Sequence, residues 1–171
     1  MKTFERLFVD LNKWVLIGLL SAMSVIVFTN VSLRYLTNFS LTWAEEVARY
    51  LMIWMTFLGA GLVLRVGGHV AITNLHDAMP APAQRMLRVL IGMLILCFCA
   101  VMIWIGYEYM SRMGRQVTPA TRISFSYVYA AMPIGFGLLV IHFVLVAKSY
   151  FLGEQLDQAE VDGLDPHASA G

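Results

Sequence analysis

LTWAEEVARYLMIW, Leu41 to Trp54, decides how this sequence is read. Its second half is apolar enough for lipid, while its first half carries Glu45, Glu46 and Arg49. The charge-free block it leads into, Tyr50 to Leu64, is too short to cross a bilayer alone, because about 20 residues at about 1.5 Å each are needed for a hydrocarbon core about 30 Å thick. It spans only if its helix begins upstream, inside the charged stretch. The fold therefore depends on whether those charges are carried into a membrane helix.

Working outward, Trp14 to Leu33, Val89 to Tyr107 and Ile123 to Ala147 are long enough to span unaided. Over 171 residues, 59% are hydrophobic and 13% charged. The mean hydropathy is +0.71, too apolar for the surface of a soluble domain of this size. The expected fold is all-α, a four-span transmembrane bundle with spans at about 14–36, 43–65, 87–110 and 123–150. A single membrane domain, 1–152, would precede an acidic tail, 153–171, with too little apolar surface to order itself. Lys2, Arg6 and Lys13 ahead of the first apolar run superficially suggest a signal peptide, but the run is too long and no small-residue cleavage site follows. It is expected to be a retained span.

Charge placement predicts the orientation. With both termini cytoplasmic, the inner side holds seven cations (Lys2, Arg6, Lys13, Arg65, Arg85, Arg88 and Lys148) against four outside (Arg34, Arg112, Arg115 and Arg122). Between spans two and three, Val70, Ile72, Leu75 and Met79 recur at helix-like spacing ahead of Pro80 and Pro82, which predicts a short interfacial helix. Cys97 and Cys99 diverge at i,i+2 on a helix and make a poor metal pair. A net charge of +1 argues against nucleic acid.

Ordinary helix chemistry accounts for part of the charge in the quoted stretch. Thr42 and Glu45 have capping-box spacing, Glu45 and Arg49 form an i,i+4 pair in the favourable order, and Trp43 suits a membrane interface. Glu46 and Arg49 still lie about one turn inside the helix. An unpaired charge within a membrane helix costs roughly 2.5 to 3.5 kcal/mol on insertion scales, so compensation is expected. Two sources stay open: interfacial solvation with pairing within the chain, Arg34 being the partner of Glu46, or a groove in another protein.

Gly18 with Ala22 and Ala131 with Gly135 are small-xxx-small pairs, and Gly59 with Gly61 thins another face, all suited to close helix approach. His142 lies well inside a span, where a hydrogen-bonded packing role outweighs a ligand role. A haem-binding anchor would need a second axial ligand at matched depth, and His69 and His76 lie in or beside a connection. Arg65 and His69 are candidates for lipid phosphates or partner carboxylates; Arg112, Arg115 and Arg122 form a basic loop that would suit an acidic partner face. Enzymatic readings fail for want of an HExxH helix, a GxSxG elbow or paired intramembrane carboxylates, Glu108 standing alone. No span shows the polar stripe of an ion path.

The run SLRYLTNFSLTWAEEVARYLMIWMTFLGAGLVLRVGGHVAI, Ser32 to Ile72, resembles the small membrane subunit of tripartite ATP-independent periplasmic (TRAP) transporters, DctQ-like. The likeness rests on Arg34-Tyr35, Trp43 through Glu46 with Arg49, Trp54 to Gly59, and Arg65 followed by Gly68-His69. ATRISFSYVYAAMPIG, with Tyr129 and Pro133-Ile134-Gly135, extends it, so that about residues 5 to 152 are covered. Departures fall at Ser124, Ser126 and Thr73, where the family commonly has a proline, an aromatic and an acidic residue. The resemblance implies a non-enzymatic, multi-pass protein of the bacterial inner membrane without a cofactor of its own. It would bracket a large permease subunit that carries the substrate, an organic anion, and sodium, with a periplasmic substrate-binding protein as third partner. ATP would not be used, and no GxxxxGK[ST] loop is present. The first set of residues would then shape the joint to the large subunit or fix the first helical hairpin, and Arg112, Arg115 and Arg122 would meet the binding protein. The alternative is a haem-binding or plain membrane anchor of a respiratory complex.

Overall fold

The computed structural model describes residues 2–65 and 81–152. The expected interfacial helix, Gly68, His69 and the acidic tail lie outside the described residues, as does the side chain of Arg65. Six helical elements follow in order: α1 (Lys2–Thr37), α2 (Thr42–Arg65), α3 (Ala81–Arg112), a single 3-10 turn (Met113–Arg115), α4 (Phe125–Tyr129) and α5 (Ala131–Leu152). Among the described residues the one β pairing is an isolated bridge between Val117 and Ser124. Four segments are long and apolar enough to cross a membrane: Arg6–Thr37, Thr42–Leu64, Val89–Arg115 and Phe125–Ala147.

The second helix does begin inside the charged stretch, and its start is not the expected capping box. Asn38 adopts a left-handed conformation, φ 53°, and stops α1, which a short polar side chain permits at modest cost. Three residues later the chain re-enters a helix. Ala44 N–H donates to the Leu41 carbonyl at 3.1 Å, and Leu41 N–H donates to Oδ1 of Asn30 at 2.7 Å, from one turn back along α1 and beyond. Thr42 thus lies within the first turn, and the orphan donor at the helix start is satisfied by a side chain of the neighbouring helix. That bond holds the first two helices as a tight hairpin.

Helix α1 extends well before the expected residue 14, giving 36 residues and a length of about 54 Å, more than a hydrocarbon core needs. The fourth span enters as two pieces because Pro133 has no N–H to donate back to Tyr129, so α4 and α5 are separated at Ala130, whose own backbone stays helical.

Among the described residues, α1 packs along α2, α2 along α5, and α5 along α3. The main packing order of the four spans is thus a row, α1–α2–α5–α3, with α2 and α5 in the middle and α1 also reaching α5 at His142. Small residues set the spacing. A Cβ at Gly135 would lie 2.5 Å from the Phe57 Cβ and 2.7 Å from its carbonyl oxygen, so α5 meets the backbone of α2 there. A Cβ at Gly106 would lie 2.8 Å from Cδ of Pro133, so α3 meets α5 where the proline ring fills the gap. Around these contacts Leu64, Cys99, Leu139 and Phe143 form a buried cluster, and the Phe136 ring stands 5.8 Å from Phe57 and 5.7 Å from Phe98. Gly18, by contrast, has open space where a Cβ would go, so the Gly18–Ala22 pair marks no close helix approach among the described residues.

Gly135→Ala should therefore destabilise the protein by about 1–3 kcal/mol, because α2 and α5 must separate. Gly18→Ala should leave the unfolding temperature of the detergent-solubilised chain unchanged. Thermal unfolding of both variants checks the contrast.

Candidate functional site

On the side of the molecule where α1 turns into α2, the chain between α3 and α4 folds into a compact loop. Thr118 N–H donates to the Ile123 carbonyl at 2.8 Å, and Phe125 N–H donates to the Gln116 carbonyl at 3.0 Å. Arg122 N–H closes a tighter turn onto the Thr118 carbonyl at 3.2 Å, with Arg122 itself at φ 54°. The Thr118 hydroxyl, 1% exposed, accepts from Ile123 N–H at 3.0 Å and lies 2.7 Å from the Thr121 hydroxyl. Ser124 bonds the Gly114 carbonyl and caps α4 through Ser126 N–H. Side-chain hydroxyls thereby take the place of the missing strand ladder.

The tip of this loop receives Glu46. Its carboxylate accepts from Ala120 N–H at 2.8 Å and Thr121 N–H at 3.1 Å, and from the Thr121 hydroxyl. Two backbone donors side by side with a hydroxyl make an anion cradle, and bonds to a charged acceptor are about twice as strong as neutral ones. The expected pairing of Glu46 with Arg34 is not what forms. Arg34 reaches Glu45 at 3.8 Å, and backbone dipoles, more weakly hydrated than a guanidinium, balance Glu46 at the rim of the helix. Tyr50, one turn further along α2, faces the same group of Glu46 and Thr118.

The remaining predicted residues are distributed around this clasp. Arg34 also lies over the Tyr35 ring at 5.9 Å, and both Tyr35 and Trp43 are exposed. Arg49 is exposed and makes no ion pair with Glu45 among the described residues. Trp54 is half-buried within α2, and a Cβ at Gly59 would lie 3.9 Å from Leu16 of α1. Arg112 pairs with Glu108 one turn back on α3, while Arg115 and Arg122 are exposed beside the loop. Arg65 ends α2 at the opposite side of the row.

A second polar group sits in the half of the row away from the loop. Asn12 of α1, buried, donates from Nδ2 to the Leu58 carbonyl of α2 at 3.2 Å and lies 3.3 Å from Nε2 of His142 on α5. Since Nδ2 has no lone pair to offer, Nε2 is the acceptor of that contact. The fully buried His142 ring is stacked at a tilt on Phe8, 4.9 Å away, and presses on Gly61, where a Cβ would come within 2.4 Å. This is the geometry of a packing residue tying three helices together. Asn12, Asn30, Thr118 and Thr121 were not singled out in the sequence, because a neutral amide or hydroxyl among apolar residues carries no charge signal and its partner lies far along the chain.

Glu46→Gln keeps the shape of the side chain but turns one oxygen into a donor facing donors. The Ala120 and Thr121 amides should then exchange with solvent about tenfold faster or more, read by hydrogen exchange of the purified chain. Thr118→Val is isosteric and leaves Ile123 N–H without its acceptor, so it should lower stability by about 1–3 kcal/mol in thermal unfolding.

Comparison with known proteins gives this arrangement a context. The family model described as "Tripartite ATP-independent periplasmic transporters, DctQ component" matches residues 23–150. The chain is 39% identical over 95 residues to a putative TRAP transporter small permease protein of Haemophilus influenzae, covering 54% of this chain and 59% of that one. It is 24% identical over 135 residues to the sialic acid TRAP transporter small permease protein SiaQ of Vibrio cholerae, covering 79% and 78%. It also aligns, at 22% identity over 132 residues, with 72% of this chain and 21% of the isethionate TRAP transporter permease protein DctMQ of Oleidesulfovibrio alaskensis. The matched region contains the whole of α2, the loop at 116–124 and its Glu46 contact. The chain belongs to the DctQ-component family of the tripartite ATP-independent periplasmic transporters.

Proposed function

We propose that this chain is the small membrane subunit of a sodium-coupled, binding-protein-dependent secondary uptake transporter for an organic anion, and that it brackets a large permease subunit rather than moving solute itself. The observation that carries this reading is the row of helices. Four helices packed in that order leave broad apolar surface, with Leu20, Phe28, Met93 and Trp104 among the large side chains exposed, and the buried polar groups tie helices together instead of lining a path. An internally braced row of helices suits a support for another membrane protein. Alignment of the chain with one fifth of a longer relative named as a permease protein fits a small and a large part acting together. Family membership displaces the alternative of a respiratory-complex anchor.

In this reading both termini are cytoplasmic and the α1–α2 turn and the 116–124 loop are periplasmic. Arg49, Trp54, Gly59, Arg65, Gly68 and His69 belong to the joint with the large subunit, Arg34, Tyr35, Trp43 and Glu45 fix the first helical hairpin at the membrane surface, and Glu46 serves the joint by bracing the loop. Arg112, Arg115 and Arg122, on and beside that loop, face the periplasmic substrate-binding protein. Relatives are named for sialic acid and for isethionate, a carboxylate and a sulfonate, so anion choice is assigned to the other two components and sodium coupling to the large subunit.

Arg49→Ala should reduce copurification of the large subunit with the tagged chain; an undiminished yield would remove Arg49 from the joint. Arg112→Glu with Arg115→Glu should impair uptake in reconstituted vesicles at unchanged complex yield, and normal uptake would remove the basic loop from the contact with the binding protein.

A further inference from the structure

Between α1 and α2, just beneath their turn, lies a cavity of about 180 Å³ lined by Val27, Asn30, Val31, Arg34, Ala44 and Glu45. Three observations give it chemistry. Asn30 is 4% exposed, and its Oδ1 is committed to Leu41 N–H, while its NH2 group has no protein partner among the described residues. A buried amide left with two free donors is costly, and at the wall of a cavity it calls for an acceptor oxygen from outside the chain. Arg34 and Glu45 stand at the same cavity 3.8 Å apart, about half and two-thirds exposed. That spacing is about 1 Å longer than a closed guanidinium–carboxylate hydrogen bond, so each charge retains capacity for a further partner. Next in sequence to the lining residues Arg34 and Ala44, Tyr35 and Trp43 are exposed aromatics at the ends of two membrane-spanning helices, with exposed Phe39 in the turn between them, which is headgroup depth in a bilayer.

We infer that this cavity is a phospholipid site selective for a zwitterionic headgroup bearing a primary ammonium, of the phosphoethanolamine type. The phosphate oxygens accept from the Asn30 amide and the Arg34 guanidinium. The ammonium, held to the phosphate by a two-carbon bridge, donates to Glu45. Below the headgroup the acyl chains run down the exposed α1 face at Val27. A purely anionic headgroup would bring its phosphate beside Glu45 with no cation to offset the repulsion. A trimethylated ammonium would present no N–H to the carboxylate. The site is independent of what the transporter carries, since it uses only side chains of the first helical hairpin and the membrane around it.

Native mass spectrometry of the full-length chain, purified in detergent with the large subunit that accompanies it, tests this by titration with phosphatidylethanolamine, phosphatidylcholine and phosphatidylglycerol of matched acyl chains. Phosphatidylethanolamine should be retained about tenfold better than either of the others, as expected for one charge-assisted hydrogen bond. Asn30→Asp keeps the acceptor that Leu41 N–H needs but removes the donor, so retention should fall about tenfold while helix content by circular dichroism is unchanged. Glu45→Gln should bring the three lipids to within about twofold of one another. Equal retention of all three by the wild-type chain, or undiminished retention by Asn30→Asp, would overturn the site. Competition by soluble phosphoethanolamine at equal concentration would assign the cavity to a free solute and sink the lipid reading.

Discussion

A carboxylate at the edge of a lipid-facing helix needs something to replace its water. In this protein the replacement for Glu46 is the backbone of a loop 74 and 75 residues away: two adjacent N–H groups and a threonine hydroxyl. The loop in turn is fixed by Thr118, whose buried hydroxyl holds Ile123 and Thr121 in place, so the donors are already aimed before the carboxylate is counted. Charge and loop are mutually dependent. The second helix can start inside a charged segment because the fourth span's approach shelters it, and the approach keeps its shape because a full negative charge sits at its tip.

The rest of the row is held by close contact rather than by bulk. Where α5 crosses α2, Gly135 lets the helices meet at backbone distance, and where α3 crosses α5 the Pro133 ring packs onto Gly106. In lipid there is little hydrophobic drive between helices, so such contacts and a few buried polar bonds supply most of the association. The Asn12–Leu58–His142 group is one of these bonds, and Gly61 makes room for it. Helix α2 takes part in both polar ties, one toward each of its ends, and α5 joins the second of them through His142. The outer helices present apolar faces, as a support that contacts lipid on one side and protein on the other would.

Much of this was legible in the sequence because hydropathy along a helix is a local property. The four apolar blocks, the upstream start of α2 and the oddity of Glu46 could be read from residue types and spacing, and the motif order around Trp43 and Gly68-His69 pointed to the family. What could not be read were the partners. Glu46 is balanced by amides of Ala120 and Thr121, which every residue but proline possesses, so no side-chain pattern marks them. The cap of α2 comes from Asn30, eleven residues earlier on a different helix, whereas the spacing of Thr42 and Glu45 gave a plausible local answer that the hairpin geometry superseded. Asn12 was hidden among the charges of the amino-terminal stretch, and only the meeting of three helices gives it a role.

The distance along the chain between Glu46 and its cradle has a consequence for biosynthesis. A ribosome adding about 5–20 residues per second needs about 4–15 s to make the 74 residues from Glu46 to Ala120, and the loop must also be delivered to the correct face of the membrane. Throughout that interval the nascent first hairpin carries a carboxylate at the lipid boundary with no cradle. Until the second hairpin arrives, the half-made protein depends on water, headgroups or the insertion machinery to tolerate that charge, and the arrival of residues 118–121 marks the moment at which the two halves of the polypeptide become one folding unit.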